Sequence, residues 1–221
     1  MILQDEKLKE LLKNVYYING TAYAGKSTMV RLLAERHDGI ECGENYHDAL
    51  LDELDPEEYP NLCWSRDLSD WHYFIRRTPD EYERWVDDVT LECERLELII
   101  LSSLAANEPD RKIFVDTNIS PATLHRIADP SHVLIMLADK DISVNRFFER
   151  PDREKQFLYR LMLEEPEPEK ALENFRQCLE RVNSKERYDA FMNCGFDVIL
   201  RDEERGIEGT LALVEEKFGL K

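Results

Sequence analysis

No apolar run in this 221-residue chain approaches the roughly 20 residues that a membrane-spanning helix requires. Basic side chains are scarce beside acidic ones, 29 against 47, for a net charge of −18. A surface that acidic repels phosphodiester backbones and anionic headgroups, so neither nucleic acid nor membrane is an expected partner. Any anionic substrate needs a locally basic pocket working against the field of the whole chain. Cysteines are few and scattered: Cys42, Cys63, Cys93, Cys178 and Cys194 form no CxxC pair and have no zinc-site histidine spacing. That excludes a zinc or disulfide framework as the organising device and points to a reducing, cytoplasmic setting. The opening MILQDEKLKELLK carries charges throughout and reads as a short amphipathic helix, not a signal peptide. No internal repeat, low-complexity tract or dividing linker is present, so residues 1–221 read as a single domain.

What is present is an ordinary globular balance, 43% hydrophobic and 34% charged, enough to build a core. Five short apolar runs read as strands: Asn14 to Asn19, Gly39 to Cys42, Lys112 to Val115, His132 to Leu137 and Phe196 to Leu200. Three are nearly continuous in apolar residues, as strands covered on both faces are. Helical patterns separate them, and a crossover helix forces parallel pairing. From Asp80 to Ala106, Tyr82, Trp85, Val89, Cys93, Leu96 and Ile100 recur at helical spacing, with Thr78-Pro79 as the start signal. Leu172, Phe175, Leu179 and Val182 mark a further helix after the proline-containing loop Glu164 to Glu169. The expected architecture is an α/β three-layer sandwich with a five-stranded parallel sheet.

Gly20-Thr21-Ala22-Tyr23-Ala24-Gly25-Lys26-Ser27, followed by Thr28, fits G-x-x-x-x-G-K-[ST] in full. It follows the strand VYYIN and opens the helical pattern STMVRLLAERH, the context the motif requires. Glycines let successive N–H groups curl toward one anion, and the helix N-terminus adds partial positive charge. Lys26 is placed to reach the β- and γ-phosphates of a nucleoside triphosphate, and Ser27 to ligate magnesium. Asp116, at the end of KIFVD, is the second candidate magnesium ligand, at the strand edge where open α/β sheets bind ligands. Glu44 follows the second strand and is the candidate general base, with Glu41 and Asp48 as rivals.

Arg146, Arg150 and Arg153 cluster past the fourth strand in VNRFFERPDREK, where Pro151 interrupts the helix. Such a segment, about 146–156, suits a lid that closes over phosphates and shields developing charge; ion pairs with Glu149, Asp152 and Glu154 are the structural alternative. Between Asn61 and Arg77, Trp64, Trp71, Tyr73 and Phe74 alternate with Arg66, Arg76 and Arg77. These residues read either as a stacking site for a planar acceptor or as plain core.

On the loop, the strand-exit acids and the arginine cluster, the chain resembles the P-loop nucleoside and nucleotide kinase superfamily. GTAYAGKST is most similar to the loop of deoxynucleoside kinases, which accept a non-glycine residue where Tyr23 stands. The resemblance implies a P-loop NTPase fold, sheet order 2-3-1-4-5, a base at Glu44, and lid arginines at Arg146, Arg150 and Arg153. One departure stands out. Those kinases carry acid-arginine-serine after the third strand, whereas Asp116-Thr117-Asn118 lacks the arginine.

The expected function is an ATP- and magnesium-dependent kinase that moves a γ-phosphoryl group to a hydroxyl or phosphate of a small molecule, a nucleoside-like acceptor being favoured. Kinases of other metabolites or antibiotics share the scaffold, and a nucleotide-binding regulator is the alternative of another class. A GTPase switch fits poorly, because no DxxG follows the loop helix and Asp139 stands where a guanine-reading asparagine is needed. A homodimer is compatible with the sequence, which does not specify an oligomeric state.

Overall fold

Nearly continuous apolar runs need cover on both faces, and the three in this chain lie side by side in the middle of one sheet. The structure, a computed structural model, describes residues 5–139, 142, 144, 147, 153–202 and 204–220. Strands β1 (Val15–Gly20), β3 (Ile113–Asp116) and β4 (Val133–Leu137) are buried almost throughout; β2 (Ile40–Cys42) and β5 (Asp197–Leu200) are partly exposed. All pairings are parallel, in the order β2-β3-β1-β4-β5. The five expected strands are thus present in the implied order, with ends shifted by a residue. β1 runs on to Gly20, and β3 ends on Asp116 itself.

The helices are α1 (Asp5–Leu11), α2 (Lys26–Arg36), α3 (Pro60–Arg66), α4 (His72–Ile75), α5 (Pro79–Asn107), α6 (Pro121–Ile127), α7 (Arg153–Glu164), α8 (Pro168–Val182), α9 (Lys185–Met192) and α10 (Gly206–Lys217), with 3₁₀ turns at Tyr46–Glu53 and Pro130–His132. Alternation along the strands divides the core. Tyr16, Ile18, Phe114, Leu134 and Met136 face one way and pack on Met29, Val30 and Leu33 of α2 and Leu211 and Val214 of α10. Val15, Tyr17, Val115, Val133 and Ile135 face the other way, against Leu101 and Ala105 of α5 and Leu124 and Ile127 of α6. Each such fully buried large side chain contributes about 1.5–3 kcal/mol.

Helix α5 begins as its sequence directs. The Thr78 hydroxyl accepts the Glu81 N–H at 3.3 Å, and the Glu81 carboxylate accepts the Thr78 N–H at 2.8 Å, a capping box worth about 1 kcal/mol. A third apolar cluster joins α4, α5, α7 and α8 through Phe74, Ile75, Tyr82, Met162, Phe175 and Leu179. It raises a helical wall beside the carboxyl ends of the strands. Among the described residues, no helix is long and apolar enough to cross a membrane.

Candidate functional site

The loop between β1 and α2 owes its course to two glycines with different needs. Gly20 has φ +130°, and a Cβ there would lie 1.9 Å from the Met136 carbonyl oxygen on β4. Gly25, just before α2, has φ +92° with open space around it, so conformation alone calls for glycine there. Tyr23 also adopts a left-handed conformation, φ 64°, at a strain of about 1–2 kcal/mol. Contacts to the sheet hold the curl. Thr21 N–H donates to Met136 O at 3.1 Å, and the Thr21 hydroxyl accepts the Ala138 N–H at 2.8 Å. Arg201, past β5, donates to Tyr23 O at 2.5 Å. Buried Asn19 accepts the Gly20 N–H at 2.5 Å and donates to Ile119 O at 2.7 Å, tying the loop to the segment after β3.

The parallel register sets Asp116 beside Ile18, so the β3 carboxylate arrives next to the loop. Ser27 Oγ donates to Asp116 Oδ2 at 2.7 Å, and Lys26 Nζ stands 3.6 Å from Oδ1 and 3.2 Å from Thr21 O. Burial pushes the Asp116 pKa up; Lys26 and Ser27 oppose that rise and Glu44 adds to it. Glu44 is therefore close enough to be felt electrostatically. It lines the same cleft of about 170 Å³, with Ala22, Tyr23 and the stretch from Gly25 to Thr28 of the loop, and with Phe147, Lys155, Leu179 and Asn183. Glu41 is exposed and outside that lining, and Asp48 lies 3.7 Å from His47 Nε2 instead. Of the three rival acids, Glu44 is the one that the fold brings to the loop.

Arg146 and Arg150 lie outside the described residues, as does Pro151. Arg153 opens α7, is exposed, and does not line the cleft. Lys155, two residues on, does line it, with Nζ 5.7 Å from the centre of the Phe147 ring. In the sequence its signal is its place in DREK, two residues past Arg153.

The aromatic stretch falls mostly on the side of core, with Tyr73 the exception, 65% exposed. Phe74 is buried, and Trp64 and Trp71 pack into the third cluster. Arg77 is caged between Trp64 at 3.9 Å, Trp85 at 4.8 Å and Phe74 at 5.2 Å, and burial holds its pKa below the usual value. Arg66 donates to Leu51 O at 2.9 Å and pairs with Asp67, and Arg76 pairs with Glu165 at 2.9 Å. None of these side chains lines the cleft at the loop.

Two further cavities flank the loop. One, of about 560 Å³, shares Ala22 and Asn183 with the cleft and runs between α5 and α9, walled by Val86, Pro121, Tyr188 and Phe191. Its arginine, Arg187, donates to Asp87 at 2.7 Å and Glu83 at 3.3 Å, so carboxylates already match its charge. The other, of about 460 Å³, lies on the opposite side among Tyr23, Met29, Met136, Arg201, Ile207 and Thr210.

Among the described residues no group of three or more His, Cys, Asp or Glu side chains could enclose a metal. The Ser27 hydroxyl and Asp116 carboxylate form a pair of hard oxygen donors. That suits magnesium, which binds through one or two protein oxygens and completes its shell with substrate phosphates and water. Compared with protein-family models, with curated proteins and with solved structures, the chain gives no match in any of the three.

Proposed function

We propose that the chain is an ATP-dependent small-molecule kinase on a P-loop NTPase fold, with a hydroxyl-bearing, nucleoside-like acceptor. The observation that carries this reading is the meeting of Lys26, Ser27 and Asp116 at one strand edge, within 3.6 Å, on a loop whose glycines leave room for a backbone anion cradle. In that assignment the loop N–H groups and Lys26 hold the β- and γ-phosphates. Ser27 and Asp116 would hold magnesium, which supplies neutralisation of phosphate charge.

Glu44 supports a hydroxyl acceptor, because an alcohol must lose a proton as it attacks and a phosphate need not. The acceptor oxygen forms a bond to the γ-phosphorus, its proton passes to Glu44, the bond to the bridging oxygen breaks, and ADP leaves. The cavity beside Ala22 and Asn183 gives such an acceptor an approach, and the matched charge of Arg187 disfavours a phosphorylated one. The 460 Å³ cavity on the other side offers room for the nucleobase of the donor. Lys155 faces the loop from the start of α7 and is the lid cation of this proposal, with Arg146, Arg150 and Arg153 as its neighbours in sequence.

A coupled ADP-release screen over nucleosides, nucleoside monophosphates, sugars and aminoglycosides tests the reading. Stimulation by nucleosides and other uncharged ring-bearing alcohols is expected. Stimulation by monophosphates alone would move the acceptor class. Nucleotide binding with no stimulation by any acceptor would replace the kinase with a nucleotide-binding regulator.

A further inference from the structure

Helix α5 carries a carboxylate that the proposed chemistry does not use. Glu97 sits on the apolar face of α5 beside Leu96 and Leu101, and none of its surface is exposed. Buried carboxylates are ordinarily paired with a cation. Here, among the described residues, no lysine or arginine pairs with Glu97; donors from the β3 exit bind it instead.

From the end of β3, Thr117 Oγ1 donates to Oε2 at 2.6 Å. The Asn118 N–H reaches Oε2 at 3.0 Å and Oε1 at 3.2 Å, and Asn118 Nδ2 donates to Oε1 at 2.7 Å. From the turn after β2, His47 Nδ1 stands 3.4 Å from Oε1, and the Tyr46 hydroxyl faces the same carboxylate. Both of these buried atoms lack a hydrogen-bond partner. Cys93, one turn back along α5, lies 3.3 Å from the other ring nitrogen of His47. The strand exits that converge here are those that carry the two candidate acids: Asp116 directly precedes Thr117, and Glu44 stands two residues before Tyr46.

The contacts continue to the loop. Thr117 Oγ1 also accepts the Ile119 N–H at 3.0 Å, Ile119 O accepts from Asn19 at 2.7 Å, and Asn19 accepts the Gly20 N–H at 2.5 Å. A line of hydrogen bonds therefore joins Glu97, through the β3 exit, to the first glycine of the loop.

We infer that Glu97 is a positioning residue that sets the placement of Asp116 by anchoring the β3 exit to α5. The inference rests on the kinase reading above. Its physical basis is directional. The ladder bond from Thr117 N–H to Ile18 O at 3.0 Å fixes the β3 backbone but not the side chains and turn that follow, and catalytic groups must be held within about 0.5 Å. A charged acceptor with several donors converging on it specifies one arrangement of the β3 exit, since any other leaves the Thr117 hydroxyl or the Asn118 donors unpaired. An apolar side chain at this position would keep α5 packed but would release Thr117 and Asn118.

Glu97→Gln tests the inference. It keeps the volume and turns one acceptor oxygen into an N–H₂ group, so Thr117 or Asn118 loses its partner. Binding of Mn²⁺ in the presence of a saturating non-hydrolysable ATP analogue, followed by electron paramagnetic resonance, reads the Asp116 position; coupled ADP release reads turnover. The expected result is a roughly 10–100-fold weaker Mn²⁺ affinity and a comparable fall in kcat, the range for residues that orient ligands from behind, with the KM for nucleotide little changed. Thr117→Val should move both in the same direction by less, and Thr117→Ser should restore them. Wild-type Mn²⁺ affinity and kcat in folded Glu97→Gln would overturn the inference. If that variant does not fold, equal behaviour of Thr117→Val and Thr117→Ser overturns it instead. A wild-type chain that binds no Mn²⁺–nucleotide would overturn the kinase reading and this inference together.

Discussion

The Ser27 hydroxyl donates to Asp116 Oδ2 at 2.7 Å, joining the start of α2 to the end of β3 across 89 positions of sequence. Neither residue could find the other without the sheet. β1 leads into the loop and pairs with β3, and that neighbour relation delivers the carboxylate to the helix N-terminus.

Lys26→Ala should abolish phosphoryl transfer while leaving the fold intact. Among the described residues Nζ meets Thr21 O and Asp116, and the side chain lines the cleft, so its removal widens the cleft and not the apolar core. Loss of a preorganised charge at the transferring group costs on the order of 10²–10³-fold in rate. Steady-state kinetics beside a circular-dichroism melt would check it, and near-normal turnover in the folded variant would sink the assignment.

The two acids should fail differently. Asp116→Asn should raise the magnesium concentration needed for half-maximal activity, because it weakens an oxygen ligand beside Ser27. Glu44→Gln should leave nucleotide binding intact and cut transfer to a hydroxyl by roughly 10²–10⁴-fold, the usual share of a general base. Magnesium titrations and nucleotide calorimetry on both variants separate the defects. Identical profiles would argue against distinct roles.

Lys155→Ala should lower kcat by roughly tenfold or more with little change in nucleotide affinity for the resting enzyme, since a cation on a closing segment acts late. Equal losses in binding and turnover would make Lys155 a ground-state contact and not a lid group.

Alanine should distinguish the two loop glycines. At Gly20 the added Cβ would overlap the Met136 carbonyl, 1.9 Å away, and adopt a disfavoured φ, so Gly20→Ala should disrupt both loop and sheet. At Gly25 only the backbone conformation is strained, costing about 1–2 kcal/mol, because nothing lies within 4 Å. Thermal melts should rank Gly20→Ala well below Gly25→Ala, and comparable melting temperatures would contradict the geometry.

Acid should loosen α4 from the end of α7. Glu165 accepts from Arg76 and lies 2.5 Å from His72 Nδ1. Arg76 first, and then His72, hold its carboxyl below the usual glutamate value against the opposing effect of burial. Its folded pKa is thus lower than its unfolded value of about 4.3. The stabilisation is complete above that unfolded value and is lost as pH falls through the folded one. Glu165→Gln should therefore lower the melting temperature at pH 7, and the difference from wild type should shrink on acidification below about pH 4. A difference that is constant with pH would show that the ion pair contributes nothing.

The sequence by itself determined the parts built from neighbours in the chain. The glycine loop is contiguous, so its chemistry is written in one string from Gly20 to Thr28. The strands show as apolar runs because central strands are buried on both faces, and α5 shows through the periodicity of its stripe and the Thr78 capping box. Tertiary structure alone decided the rest. Glu41, Glu44 and Asp48 are equivalent on paper, and only the position of the β2 exit relative to the loop selects Glu44 for the cleft. Trp64, Trp71 and Phe74 read equally as a stacking platform or as core until α5, α7 and α8 close over them. Glu97 looks like one more acid in an acidic chain, yet it sits on the buried stripe where donors from β3 converge. Local pattern records the spacing along one element, whereas a site is made where elements end, and where they end relative to one another is fixed by packing.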